Sequence, residues 1–241
     1  MLEFGLITLR SSLSLADAVL DQERDFFLQN LGEGLSFISP KEELPSVFFV
    51  QTGGSEAVFK SLYRNYPEPY CLLVQGRRNS LAAALEIKTF LTKMGKRSIL
   101  LQGDHGDVHA RLKEYGENFL AKNRLKGMRL GVIGHPSDWL IGSDVDYKLA
   151  KKRLGVELIN IDMAEFLATY DKVREADKTL VERFRKHTDR LEDLDKAVRV
   201  YSALHEIVVK YDLRGFTLRC FDLLSTRMTT SCISFGLKIC N

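Results

Sequence analysis

No stretch of the chain approaches the run of about eighteen apolar residues that a membrane-spanning helix requires. The opening MLEFGLITLRSS carries an acid at Glu3 where a secretory leader would be basic. Charge of neither sign dominates: 35 Lys and Arg stand against 32 Asp and Glu, a net charge of +3, with no basic block and no interleaved aromatic platform. That balance excludes an electrostatic nucleic-acid footprint and implies no anionic partner. Cysteine is scarce. The four thiols, Cys71, Cys220, Cys232 and Cys240, form no C-x-x-C pair, which excludes a disulfide scaffold and a zinc ribbon and reads as buried thiols in a reducing compartment. The cytoplasm is the expected location, with no membrane and no nucleic acid as partner. Nucleotide-binding glycine motifs are missing too: neither G-x-G-x-x-G nor a P-loop occurs.

What is present fits a globular chain. Of 241 residues, 45% are hydrophobic and 28% charged, enough to build more than one core. Short runs rich in Val, Ile, Leu and Phe predict strands at 4–9, 35–38, 47–51, 70–75, 97–102, 129–134, 156–161 and 216–220. Their near-continuous hydrophobicity is what a sheet covered on both faces demands, which favours parallel pairing. Amphipathic stretches lie between them. The clearest runs from Ser80 to Met94, with Asn79 placed to cap it, Gly95 to end it, and Ala83, Ile87, Phe90, Leu91 and Met94 on one face. The alternation predicts an α/β protein of two open, mainly parallel, Rossmann-like sheets with helices on both faces. The polar segment AKNRLKGM, 121–128, marks the boundary, giving domains at 1–125 and 126–241. A solvated helix pair is expected over 174–211, with charge pairs Glu182 with Lys186 and Glu192 with Lys196.

In such sheets ligands bind beyond the carboxyl ends of the strands, and that rule selects five loops. QTGGSEAVFK, 51–60, has two glycines for a tight turn and Thr52 or Ser55 as a cap, with Glu56 in the first helical turn. QGRRNSLAAALE, 75–86, places two cations and then Asn79 and Ser80 where a helix begins, able to grip ligand oxygens or only to cap. QGDHGDVH, 102–109, has histidines at i and i+4 but no third ligand at a recognised spacing, and its aspartates serve as caps. IGHPSDWLIGSDVD, 133–146, holds the single tryptophan, Trp139. The ring either packs under its loop or against another chain, or stacks on a sugar, while Ser137 and Asp138 satisfy loop amides or read hydroxyls, before a helix starting near Ser143 or Asp144. Last, LRCFDLLSTRMTTSC, 218–232, offers an Arg219 and Asp222 ion pair and a polar run suited to a substrate loop.

TGGSE (52–56), NSLAAALE (79–86), GVIGHPSDWLIGSDVD (131–146) and RCFDLL (219–224) together resemble the L-fucose isomerase and L-arabinose isomerase superfamily, in its fucose isomerase-like members. They occur in the family's order and cover most of the chain from about residue 47 onward. The resemblance implies a cytoplasmic, homo-oligomeric protein of carbohydrate metabolism that interconverts aldoses and ketoses with a monosaccharide substrate and a divalent cation such as manganese. Moving a proton between carbons beside a carbonyl needs a Lewis acid on the sugar oxygens and a carboxylate within proton reach. In the family those metal ligands come from the later part of the polypeptide. This sequence ends at ISFGLKICN, so the second domain is expected to be truncated and the chain to be inactive alone, with no catalytic residue and no metal ligand of its own. Glu56, Asn79, Ser80, Asp138, Trp139 and Arg219 are the candidates for substrate or interface contact. A sugar-binding or assembly domain without catalysis is the alternative.

Overall fold

The computed structural model describes residues 1–11 and 17–237. Cys240 lies outside them. The chain divides into two compact units, Met1–Asn123 and Arg124–Asn241, and it is α/β throughout, every strand pairing parallel to its neighbours.

The first unit runs β1 (Leu2–Leu9), α1 (Asp17–Gln29), β2 (Leu35–Ile38), β3 (Ser46–Val50), α2 (Glu56–Leu62), a 3₁₀ turn, β4 (Tyr70–Val74), α3 (Ser80–Lys93), β5 (Ser98–Leu101) and α4 (His105–Leu125). The sheet order is β2-β1-β3-β4-β5. Both faces are covered. Side chains alternate across the strands, so Phe48, Val50, Leu72 and Val74 pack against Phe59, Ala83, Ile87 and Leu91 from α2 and α3. Val47, Phe49, Cys71 and Leu73 meet Val108, Leu112 and Tyr115 of α4 and the partly buried Phe27 and Leu28 of α1 on the other side. The continuous apolar runs are explained by this double cover.

The link from β2 to β3 has no helix, although parallel strands ordinarily need a crossover of a dozen or more residues. Register supplies the reason. β2 pairs with the first half of β1, ending at Gly5 opposite Ile38, whereas β3 pairs with the second half, beginning at Gly5 opposite Ser46. The chain therefore steps across β1 at the level of Gly5 instead of returning along the sheet. A Cβ on Gly5 would lie 2.8 Å from the Pro40 Cα, so the step passes over a residue without a side chain.

The second unit runs β6 (Arg129–Ile133), α5 (Tyr147–Leu154), β7 (Glu157–Ile161), α6 (Met163–Lys172), α7 (Lys178–Arg185), α8 (Leu191–Tyr211), β8 (Gly215–Leu218), α9 (Phe221–Arg227) and α10 (Cys232–Gly236). Its sheet is β7-β6-β8. Ile133, Ile161 and Leu218 bury one face against Phe166 and Tyr170 of α6 and Val200, Ala203, Leu204 and Ile207 of α8. α5, which buries no residue fully, lies on the other side, where the Tyr147 hydroxyl donates to Asn160 Oδ1.

Several local expectations are corrected. α5 begins at Tyr147, not near Ser143, because the Asp146 carboxylate accepts from the amides of Lys148 and Leu149 at 2.8 and 3.0 Å. The polar run after β8 is a loop only in part: Ser225, Thr226 and Arg227 form the last turn of α9, and residues 228–231 link it to α10. Glu182 pairs with Arg185 instead of Lys186, while Glu192 does pair with Lys196. Of the described thiols only Cys71 is buried; Cys220 is half-buried and Cys232 exposed. Among the described residues no helix is long and apolar enough to cross a membrane.

Candidate functional site

Parallel strands bring all their carboxyl ends to one edge, and in the first unit that edge is lined with glutamines. Gln51, Gln75 and Gln102 each follow the last apolar residue of β3, β4 and β5. Gln51 is fully buried and fully engaged: its amide nitrogen donates to the Leu20 carbonyl at 2.5 Å, and its oxygen accepts from Arg10 Nε at 2.8 Å. Arg10 also bonds Asp21 of α1 at 2.6 Å, and this bond holds the Asp21 carboxyl below its usual value. Gln75 is not so provided for. Its carboxamide is among the donors to Glu23, yet its Oε1 is buried with no hydrogen-bond partner among the described residues.

Around Gln75 lies a pocket of about 440 Å³, walled by Gln22, Glu23, Phe26 and Phe27 from α1 and by Val74, Gln75, Arg77, Gln102, Gly103 and His105 from the ends of β4 and β5. Glu23 takes two hydrogen bonds from Arg78, one of them at 2.9 Å. Arg78, together with the nearby Arg77, lowers its pKa against the opposing effect of desolvation.

Three sequence candidates flank this edge. Gly53 of the TGGSE turn donates its amide to the Arg78 carbonyl at 2.8 Å, and a Cβ on Gly53 would meet the Asn79 Cβ at 3.0 Å. The TGGSE and RRNS loops are thus packed together. Asn79 stands at the start of α3, but with φ +59° in the left-handed region its side chain makes no capping bond. A capping side chain normally sits on extended backbone, so the capping role expected of Asn79 is corrected: it closes a turn in which Arg78 is also left-handed. Ser80 is fully buried, its hydroxyl unpartnered among the described residues, and is no surface contact. Neither Thr52 nor Ser55 caps α2; Thr52 Oγ1 accepts from the Ser11 amide and Ser55 Oγ donates to the Thr52 carbonyl, both at 2.8 Å. Glu56 is half-buried in the first turn of α2. The two histidines are separately employed: His109 Nδ1 meets the Leu31 carbonyl at 2.8 Å and the His105 ring packs edge-on against Phe27. Asp104 caps α4 through the Gly106 amide at 2.8 Å.

In the second unit the structure brings together Asp138, Trp139 and Arg219. Gly134, with φ +86°, turns the chain out of β6, and a Cβ there would strike the Met163 side chain at 2.7 Å. Arg219, directly after β8, reaches Asp138 at 3.3 Å and Asp222 at 3.0 Å. Hydrogen bonds to Asp138 and then to Asp222 raise the Arg219 pKa further. Asp138 therefore serves Arg219, and is not occupied with the amides of its own loop. Trp139 is 61% exposed, packed neither under its loop nor out of water, and among the described residues it meets one other ring, Phe221, in a T-shaped arrangement with centroids 6.2 Å apart. A largely exposed indole beside a guanidinium and two carboxylates offers apolar C–H contact and hydroxyl-directed hydrogen bonds within one small surface.

Among the described residues no group of three or more His, Cys, Asp or Glu is placed to hold a metal ion. The cation implied by the resemblance finds no ligand set there, and no step through a metal is assigned to these residues. No protein-family model matches the chain, and no curated protein matches it. Of the pocket residues, Phe26 lies outside the loops selected from the sequence, Gln75 and Gln102 lie within them but were not singled out, and His105 was weighed there only as half of a metal site. A signal for them stood in the sequence: FVQTGG, LVQGRR and LLQGDH repeat an apolar-Gln-Gly-rich strand end three times.

Proposed function

We infer that this chain is the sugar-recognising portion of an aldose–ketose isomerase-like protein of the cytoplasm, working as a homo-oligomer. It supplies loops that contact a monosaccharide and leaves the metal-assisted proton transfer to other residues of a complete family member. The reading starts from the resemblance of four ordered segments to the fucose isomerase-like proteins. The observation that carries it is the exposed Trp139 side chain on the loop that also holds Arg219 through Asp138, with Asp222 on the other side of the guanidinium. A pyranose ring presents a C–H face to an aromatic ring and its hydroxyls to charged hydrogen-bonding groups.

Because Trp139 is the sole tryptophan, emission excited selectively at the indole, beyond the tyrosine absorption band, reports on this site alone. Titration with L-fucose and L-arabinose is expected to give a saturable change unaffected by a chelator. No aldose–ketose conversion is expected from this chain with manganese. Emission that stays constant up to about 50 mM of either sugar, a concentration that detects even weak affinity, sinks the reading. The exposed Ile141 in the same loop, Phe221 on α9 and Met228 just after it favour a second use of this surface, contact with another copy. Sedimentation over a range of concentrations tests it; a monomer throughout rejects it.

A further inference from the structure

The two edges of the second unit's sheet differ in charge. At the carboxyl ends of its strands Arg219 is answered by Asp138 and Asp222, whereas cations dominate the amino ends. Residues 124–129 lead into β6, and residues 147–156 form α5 and lead into β7; together they hold seven Lys and Arg and no acid. Separate in sequence, the two segments are joined in the fold. The Gly127 amide donates to the Gly155 carbonyl and the Glu157 amide to the Met128 carbonyl, both at 2.8 Å, and a Cβ on Gly155 would stand 3.0 Å from the Lys126 Cα. Paired strands lie about 4.8 Å apart, so Arg124, Lys126 and Arg129 from one segment and Lys151, Lys152 and Arg153 from the other share one small edge. The near-neutral total hides this, because charge is balanced over the chain and not over this surface.

Glu157, the first residue of β7, is the carboxylate set among them. Lys151 bonds it at 2.7 Å, and Lys151 and then Arg129 hold its carboxyl below the usual value. Asp144 and Asp146 belong to the opposite end of α5, a helix of eight residues and therefore about 12 Å long, and Asp146 is engaged there as the cap. On the β8 side the charges of Asp212 and Arg214 offset each other. Arg124, Lys126, Lys152 and Arg153 are exposed and have no ion pair among the described residues. Lys196, Lys210 and Arg227 of the same unit, by contrast, each answer a carboxylate at 2.6–2.8 Å. The dipole at the C-terminal end of α5 accounts for cations in its last turn, but not for Arg124 and Lys126 beside it.

Apolar groups accompany the charge. α5 buries no residue fully, and its Leu149 and Leu154 are 42% and 47% exposed. On a helix Leu149 neighbours Lys152 and Arg153, and Leu154 neighbours Lys151. A nucleic-acid backbone gives leucines no apolar contact, and base stacking needs open aromatic rings; the one aromatic residue of the two segments, Tyr147, is half-buried with its hydroxyl on Asn160. An anionic bilayer supplies both chemistries, charged headgroups and the acyl chains just beneath them. We propose that this edge, α5 with residues 124–129, docks on the surface of an anionic lipid bilayer. The cations meet the headgroups, and Leu149 and Leu154 enter the interfacial layer. Such a patch lies on a membrane without crossing it, so it needs no spanning helix.

Cosedimentation of the full chain with sucrose-loaded vesicles tests the assignment. Phosphatidylcholine vesicles containing phosphatidylserine should bind the chain in about 50 mM salt and release it at about 500 mM, as the Debye length falls from about 14 to about 4 Å. Vesicles of phosphatidylcholine alone should bind it at least about tenfold more weakly. Each cation near a charged leaflet is worth about fivefold in affinity, so Lys152→Gln combined with Arg153→Gln should weaken binding by about thirtyfold, and Leu149→Ser by about threefold. Lys178→Gln combined with Lys186→Gln removes the same net charge at the two ends of α7 and leaves binding unchanged. All five residues are exposed, so the variants keep the fold, which circular dichroism verifies. No binding to the anionic vesicles up to about 5 mM lipid, equal binding to both kinds of vesicle, or equal losses in the two double variants would each overturn the proposal. Release of the bound chain by a DNA duplex at the same phosphate concentration would overturn it as well, and would assign the edge to a nucleic-acid backbone.

Discussion

The Arg219 guanidinium stands between two carboxylates, 3.3 Å from Asp138 and 3.0 Å from Asp222, and so ties the loop after β6 to the end of β8, 81 residues later in the chain. The side chain of Asp138 is 87% exposed, so water screens its half of the arrangement and little stability resides in it. Its role is positional. Arg219→Gln is expected to leave the thermal midpoint nearly unchanged while shifting the Trp139 emission maximum and weakening any sugar titration read at that residue. An unaltered spectrum would show that Trp139 is placed by its own loop.

Gly5→Ala is expected to destabilise the protein by about 1–3 kcal/mol, the usual cost of forcing a methyl group into filled space. Its neighbour at 2.8 Å is the Pro40 backbone, which has no flexible end to move aside. Urea denaturation followed by circular dichroism measures this, and a midpoint equal to that of the parent chain contradicts the crossing.

Phe48 is fully buried, with the rings of Phe59 and Tyr66 at 5.0 and 5.2 Å. Phe48→Ala should cost about 3–5 kcal/mol, from lost transfer free energy and the cavity left behind, seen as a lower urea midpoint.

The acid branch of the stability curve follows from α1. Arg10 lowers the Asp21 pKa from 3.8 and Arg78 lowers that of Glu23 from 4.5. A carboxyl whose folded pKa lies below its unfolded one stabilises the fold above the unfolded value, and that stabilisation fades as pH falls through the folded value. The loss therefore begins below about pH 4.5. In Glu23→Gln the fall of the melting temperature between pH 5 and 3 should be shallower than in the parent chain; an identical slope would remove Glu23 from the account.

Thiol accessibility separates the cysteines. Burial pushes the Cys71 thiol up to about 12, which together with its enclosure keeps it unreactive. Iodoacetamide at pH 8 with peptide mapping should modify Cys232 first, Cys220 more slowly, and Cys71 only after denaturant is added. Early labelling of Cys71 would mean that the first core opens readily.

The strands were legible because a doubly covered sheet leaves no room for polar side chains: SVFFV and YCLLV are buried at every position. Helix starts were less so. Ser143, Asp144 and Asp146 are all capping residues, and only Asp146 reaches free amides. Asparagine both caps helices and tolerates the left-handed region, and Asn79 uses the second property. The short α9 has Leu223 as its one buried residue, too little for a helical period to appear. The Arg219 and Asp138 pairing depends on tertiary placement and leaves no local mark, whereas the glutamines at three strand ends left one that comparison of the strands with one another reveals.

The step across β1 at Gly5 also bears on how the first unit is assembled. The three strands β2, β1 and β3 come from one uninterrupted stretch, Leu2–Val50, and the β2-to-β3 link closes with little loss of chain entropy. Further strands then join only beyond β3, each with its own helix, so the sheet extends outward in one direction. Removing β5, the edge strand, would leave the middle pair β1 and β3 with all of its ladder bonds, whereas lengthening the link over Gly5 would loosen the centre from which everything else is laid down.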